Sequence, residues 1–95
     1  MRKLYIIVLE YSSDDIGNFL PSIVEMLNSI GQTLQLSSHS FMMSSVDTAV
    51  VIRNAIKNSP FDIKSIFVAE VSSPAAWRNL SADNNDVKTF LRNEN

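Results

Sequence analysis

One stretch of this 95-residue chain carries residue types suited to chemistry: Glu10, Asp14 and Asp15, separated by Tyr11, Ser12 and Ser13. Hard divalent cations such as magnesium take carboxylate and water oxygens. Glu10 and Asp14 are therefore the metal candidates, and Glu10 is the catalytic candidate. A magnesium ion held there would activate a water for attack on a phosphodiester. Two copies of Glu10 near a two-fold axis could supply such oxygens. The plainer alternative is structural. Asp14 and Asp15 then solubilise a loop and complement the positive end of the next helix, while Glu10 marks the exit of a strand to solvent.

The remaining reactive residues are dispersed. His39 is the single histidine, so no second imidazole in the chain supports it. As a general acid it would need Glu10 or a phosphate within hydrogen-bond reach; otherwise it is a solvated turn residue. The serines lack a Gly-x-Ser-x-Gly elbow, and Gly17 and Gly31, the two glycines, stand too far apart for a phosphate-cradling loop. Arg53 and Lys57 lie one helical turn apart, with Lys64 close in sequence, and form the nucleic-acid candidate. Tyr5, Tyr11 and Phe41 could stack bases from a sheet, but the basic-Gly-aromatic motif of RNA-binding sheets is absent, which favours packing. Trp77 is either a partner anchor or a core plug.

The elements that must position these residues follow from periodicity. Leu4 to Leu9 is uninterrupted apolar sequence, with Tyr11 beyond Glu10, as in a strand covered on both faces. Phe19 to Ile30 repeats apolar residues at helical spacing, with Asn18 as its cap, Pro21 in the first turn and Gly31 as a left-handed stop. Gln32 to Ser37 alternates, and after a turn at Ser38 to Ser40 the segment Phe41 to Ser44 returns as a hairpin. Ser45 is the expected cap of a second helix, with Asp47 in its first turn. Ala49, Ile52 and Ile56 form its buried stripe, backed by Val46 and Val50, and Pro60 follows its end. Ile63 to Val71 is a fourth strand. Pro74 to Leu80 suits a short helical turn, 81–86 is a polar linker, and Val87 to Arg92 a brief helical tail.

Composition bounds the rest. A hydrophobic content of 45% suits a globular domain, and no apolar run reaches the roughly 20 residues of a membrane span. The basic start, Arg2-Lys3, resembles a secretion signal, but the run behind it is short, β-branched and closed by Glu10. The chain has no cysteine. That excludes disulfides, thiolate metal sites and a thiol nucleophile, and fits the cytoplasm. A net charge of −2 and a pI near 5.1 weigh against a dedicated nucleic-acid binder.

The order β-α-β-β-α-β is a doubled β-α-β unit, the ferredoxin-like plait of the α+β class. Right-handed crossovers place both helices on one face of a four-stranded antiparallel sheet in the order 4-1-3-2. The domain spans 1–80, with 81–95 a linker and short helical extension. Helices on one face leave the other apolar face in need of cover, and a second copy of the chain is the simplest cover. The row Tyr5, Ile7 and Leu9 is assigned to that interface, completed by Trp77.

Tyr5 to Tyr11, Leu27-Asn28-Ser29-Ile30-Gly31, Ser38 to Met43, Ile52 to Ile56 and Ala76-Trp77 with Leu80 together resemble the small proteins of the SinR family. These are distinct from the helix-turn-helix regulator of that name. They in turn resemble the CRISPR-associated Cas-two proteins and the VapD-type ribonucleases. The likeness runs to about Leu80. It implies a ferredoxin-like fold and a homodimer. In Cas-two-like nucleases an aspartate ends the first strand, and two copies hold a divalent metal across the dimer axis. The matching residue here is Glu10, one methylene longer, which displaces any inherited metal geometry. Three readings follow: a non-catalytic dimeric interaction module with protein or nucleic-acid partners, a metal-dependent endoribonuclease, and a regulator from a mobile element or defence system.

Overall fold

The computed structural model describes residues 2–11 and 16–71, with the backbone alone for 16–19. Its elements are β1 (Lys3–Tyr11), α1 (Ile16–Ile30), β2 (Gln32–Gln35), β3 (Ser40–Ser45), α2 (Ala49–Lys57) and β4 (Ile63–Glu70). The strands form one sheet in the order β2-β3-β1-β4, which is 4-1-3-2 when read from the other edge. Every pairing is antiparallel. This is the expected α+β, ferredoxin-like arrangement. Residues 72–95, and with them Trp77, the boundary at 80 and the helical extension, lie outside the described residues.

β1 sits in the middle, as its unbroken apolar run requires. Its odd residues Tyr5, Ile7, Leu9 and Tyr11 join Phe41 and Met43 of β3, Ile23 and Leu27 of α1, and Ile52 and Ile56 of α2 in one buried cluster. Both helices therefore cover the odd face of β1. This corrects the assignment of Tyr5, Ile7 and Leu9 to an interface between copies. They are buried inside a single chain because the two crossovers deliver their helices to that side.

The even face is a second, separate apolar surface. Leu4 is paired across from Ser44, Ile6 from Met42, and Val8 from Phe67 on β4. Leu4 and Met42 are buried, whereas Val8 is 38% and Phe67 59% exposed. Neither helix packs on this side.

Local signals explain the helix ends, with three departures from expectation. α1 begins at Ile16 rather than after Asn18, so Pro21 lies inside the helix, where its missing N–H interrupts the ladder. Gly31 does end α1, but not through a left-handed backbone. A Cβ there would meet the Ser44 carbonyl oxygen at 2.7 Å, so the requirement is room beside β3. Asn28 fastens the junction, its Oδ1 accepting from Thr33 N at 3.0 Å. The third departure concerns α2, which is capped by Thr48 and not Ser45. Ser45 remains in the ladder opposite Lys3, while Thr48 Oγ1 accepts from Val51 N at 3.3 Å. Ile52 and Ile56 are buried as the periodicity required, but Val46 and Val50 face solvent. Thr48→Ala should lower stability by about 1 kcal/mol, read from urea unfolding, and Ser45→Ala should leave the helix start intact.

Candidate functional site at the end of the central strand

Glu10 is the penultimate residue of β1 and lies opposite Ser65 of β4. Between Glu10 and Tyr11 the register to β4 shifts, so Tyr11 pairs with Ile63 and Lys64 has no partner on β1. The bulge marks where the strand leaves the sheet. Glu10 is exposed and on the even face. Asp14 and Asp15 lie outside the described residues. Among the described residues no three histidine or acidic side chains gather closely enough to hold a metal. A magnesium site on this chain would need Glu10 joined by Asp14 or by a second copy.

Beside Glu10, but on the other face, the structure builds a polar cluster from the β2–β3 turn. Leu9 N donates to His39 O at 2.8 Å, and His39 Nδ1 lies 3.0 Å from Leu9 O. A carbonyl oxygen only accepts, so Nδ1 carries the hydrogen of this bond. The imidazole thus extends the β1–β3 ladder by one rung. Its ring tilts against Tyr11 at a centroid distance of 4.8 Å. Tyr11 Oη donates to Ser38 O, and the Ser37 and Ser40 hydroxyls bond to each other. Ser37 Oγ also accepts from Ser40 N at 3.1 Å.

Side-chain alternation separates the two candidates. His39 lies on the side of Leu9 and Tyr11, and Glu10 projects to the opposite side. The acid–base pairing of His39 with Glu10 is therefore not assembled within one chain. The Tyr11–His39 contact was not legible in advance, because it depends on the hairpin register, and a tyrosine at a strand end gives no sign of it.

Arg53 and Lys57 are exposed on α2, one turn apart as expected. The Arg53 guanidinium bonds Asn54 Oδ1 at 3.0 and 3.3 Å. Both belong to the helix-covered side, away from the Glu10 carboxylate.

Burial raises the Tyr11 hydroxyl above its ordinary pKa of 10.0. The native state then holds this proton more tightly than the unfolded chain does. The contribution is complete below pH 10 and is lost as pH rises through the native value. Unfolding free energy should fall more steeply with alkaline pH in the wild type than in Tyr11→Phe. Urea titrations from pH 8 to 11.5 read the difference.

No family model, no curated protein and no solved structure matches this chain. Among the described residues no helix is long and apolar enough to cross a membrane.

Proposed function

We propose that this chain is a small homodimeric interaction or regulatory module, without catalysis of its own, in a cytoplasmic system that handles nucleic acid, of the defence or mobile-element kind. The observation that carries this is the even face of the sheet. Val8 and Phe67 stand exposed side by side on strands whose other face is already filled by two helices. An apolar pair on an otherwise covered plait is a recognition surface before it is a reaction centre. The SinR-like and Cas-two-like pattern in the sequence supplies the nucleic-acid and defence context, and the acidic net charge favours a protein partner over direct binding to phosphate.

The alternative is a metal-dependent endoribonuclease, favoured by one placement. Glu10 is exposed at the end of β1, the position where the Cas-two-like pattern has its aspartate. Purified protein is incubated with single- and double-stranded RNA and magnesium, beside Glu10→Ala. The module reading expects no cleavage by either. Cleavage by the wild type that disappears in Glu10→Ala and on chelation overturns it in favour of the nuclease. In parallel, cross-linked complexes are recovered from native host lysate with wild type and Phe67→Asp. A defined protein partner lost with Phe67→Asp supports the module.

A further inference from the structure

Leu4 and Val8 share a strand and a face, and their surroundings within the sheet are alike. Leu4 is flanked by Ser44 of β3 and by Val71, Val8 by Ser40 and Phe67. Yet Leu4 is 1% exposed and Val8 38%. Neighbours in the plane of the sheet do not produce that contrast, so something lies over Leu4 that stops short of Val8. Met42, paired with Ile6 on the same face, is buried as well. Beside them Ser44 Oγ is buried and has no hydrogen-bond partner among the described residues, so water is excluded there and the cover is apolar.

No described element supplies this cover. α1 and α2 pack on the odd face. Arg2 reaches the Ser44 carbonyl oxygen at 2.8 Å but is itself exposed, so it shields one margin only. Met1 is a single residue against a patch two strands wide. Residues 12–15 follow Tyr11, about 23 Å along β1 from Leu4 at roughly 3.3 Å per residue, and must join α1 on the other face. Residues 72–95 start in the right place. Val71 N donates to Leu4 O at 2.8 Å, so the chain leaves the sheet at the buried corner. Strands lie about 4.8 Å apart, and a few residues suffice to cross from Val71 to Met42. The segment also carries suitable side chains. Trp77 and Leu80 are three positions apart, the spacing that sets two side chains on one side of a helical turn, and Phe90 and Leu91 follow.

We propose that residues 72–95 fold back over the even face, with Trp77 seated on Leu4 and Met42, as a third layer that ends before Val8 and Phe67. A tryptophan is large enough to close such a patch by itself. This goes beyond the function proposed above and does not rest on it. For any partner it defines what is left to bind: a strip at Val8 and Phe67 bordered by the chain's own strap.

The chain has no cysteine and one tryptophan, so both sides of the contact can be read separately in the full chain. Met42→Cys and Phe67→Cys each place a single thiol on the even face, with circular dichroism confirming the fold. The thiol of Met42→Cys should react with a maleimide at least about ten-fold more slowly than that of Phe67→Cys. Adding Trp77→Ala should remove most of that difference and leave the rate of Phe67→Cys unchanged. Trp77 fluorescence in the unmodified chain should resist iodide quenching until urea unfolds it. Protection should be equal at about 1 µM and about 100 µM protein, as a contact within one chain requires. A Met42→Cys thiol as reactive as that of Phe67→Cys, or one whose protection Trp77→Ala does not alter, would overturn the strap. Protection lost on dilution would overturn it in favour of cover by a second copy. Should Trp77→Ala fail to fold, Trp77→Leu replaces it, and an indole as accessible to iodide in the native chain as in urea overturns the strap by itself.

Discussion

Replacing Gly31 with alanine should cost about 2 kcal/mol of unfolding free energy, measured by urea denaturation. The added Cβ would sit 2.7 Å from the Ser44 carbonyl oxygen and 3.0 Å from both Met43 Cγ and Ser45 Cβ. The methionine tip can turn aside. The backbone oxygen cannot, because Ser44 is held in the ladder between Leu4 and Gln32. Overpacking of this kind costs typically 1–3 kcal/mol, and the smaller entropy of an unfolded alanine chain offsets part of it. Asparagine gives a sharper comparison. At a left-handed helix stop asparagine is well tolerated, but at a site closed by contact it brings more atoms into the same space. Gly31→Asn should therefore be at least as damaging as Gly31→Ala. An asparagine variant as stable as the wild type would contradict the contact explanation and restore the left-handed one.

A comparison of Ile7→Ala with Val8→Ala should show the two faces of β1 to be energetically unlike. Ile7 is fully buried among both helices and β3, so its truncation leaves a cavity and should cost about 3–4 kcal/mol. Against a total stability of roughly 5–15 kcal/mol for a small domain, that is a large fraction. Val8, its neighbour, is 38% exposed on the even face, and its truncation should cost less than about 1 kcal/mol in the monomer. Urea unfolding at low protein concentration, where association is negligible, reads both. Equal losses would mean that the even face is as tightly covered as the odd one, leaving no apolar surface for a partner.

Much of the architecture was legible because it depends on local pattern. The run Leu4 to Leu9 identifies a central strand without any knowledge of its neighbours, and the spacing of Ile23, Leu27, Ile52 and Ile56 marks the buried stripes of two helices. Right-handed crossover connections then leave little freedom in strand order. The helix starts were less legible. Ser45 and Thr48 both carry hydroxyls that can cap a helix, and only the pairing of Ser45 with Lys3 decides that the strand keeps the first and the helix takes the second. Pro21 suggested a first turn, yet α1 begins earlier and tolerates it inside.

The candidate site divides in the same way. The exposure of Glu10 at a strand end was readable from a charge closing an apolar run. Its separation from His39 was not, since two residues far apart in sequence reach one face or opposite faces according to hairpin register. Nor could sequence alone decide which side of β1 the helices would cover, because both of its faces are apolar and alternation is silent between them.

From its residues alone, this chain determined a central two-faced strand, two amphipathic helices and the order in which a plait assembles them, all properties set by neighbours within a few positions. The tertiary structure alone decided that Tyr5, Ile7 and Leu9 belong to the core. It likewise decided that Gly31 is required for space, that His39 is tied to Leu9 and Tyr11, and that Phe67 stands exposed on β4 beside Val8. Each of these depends on which distant strands meet and in which register, and that information resides in packing between elements and not within any one of them.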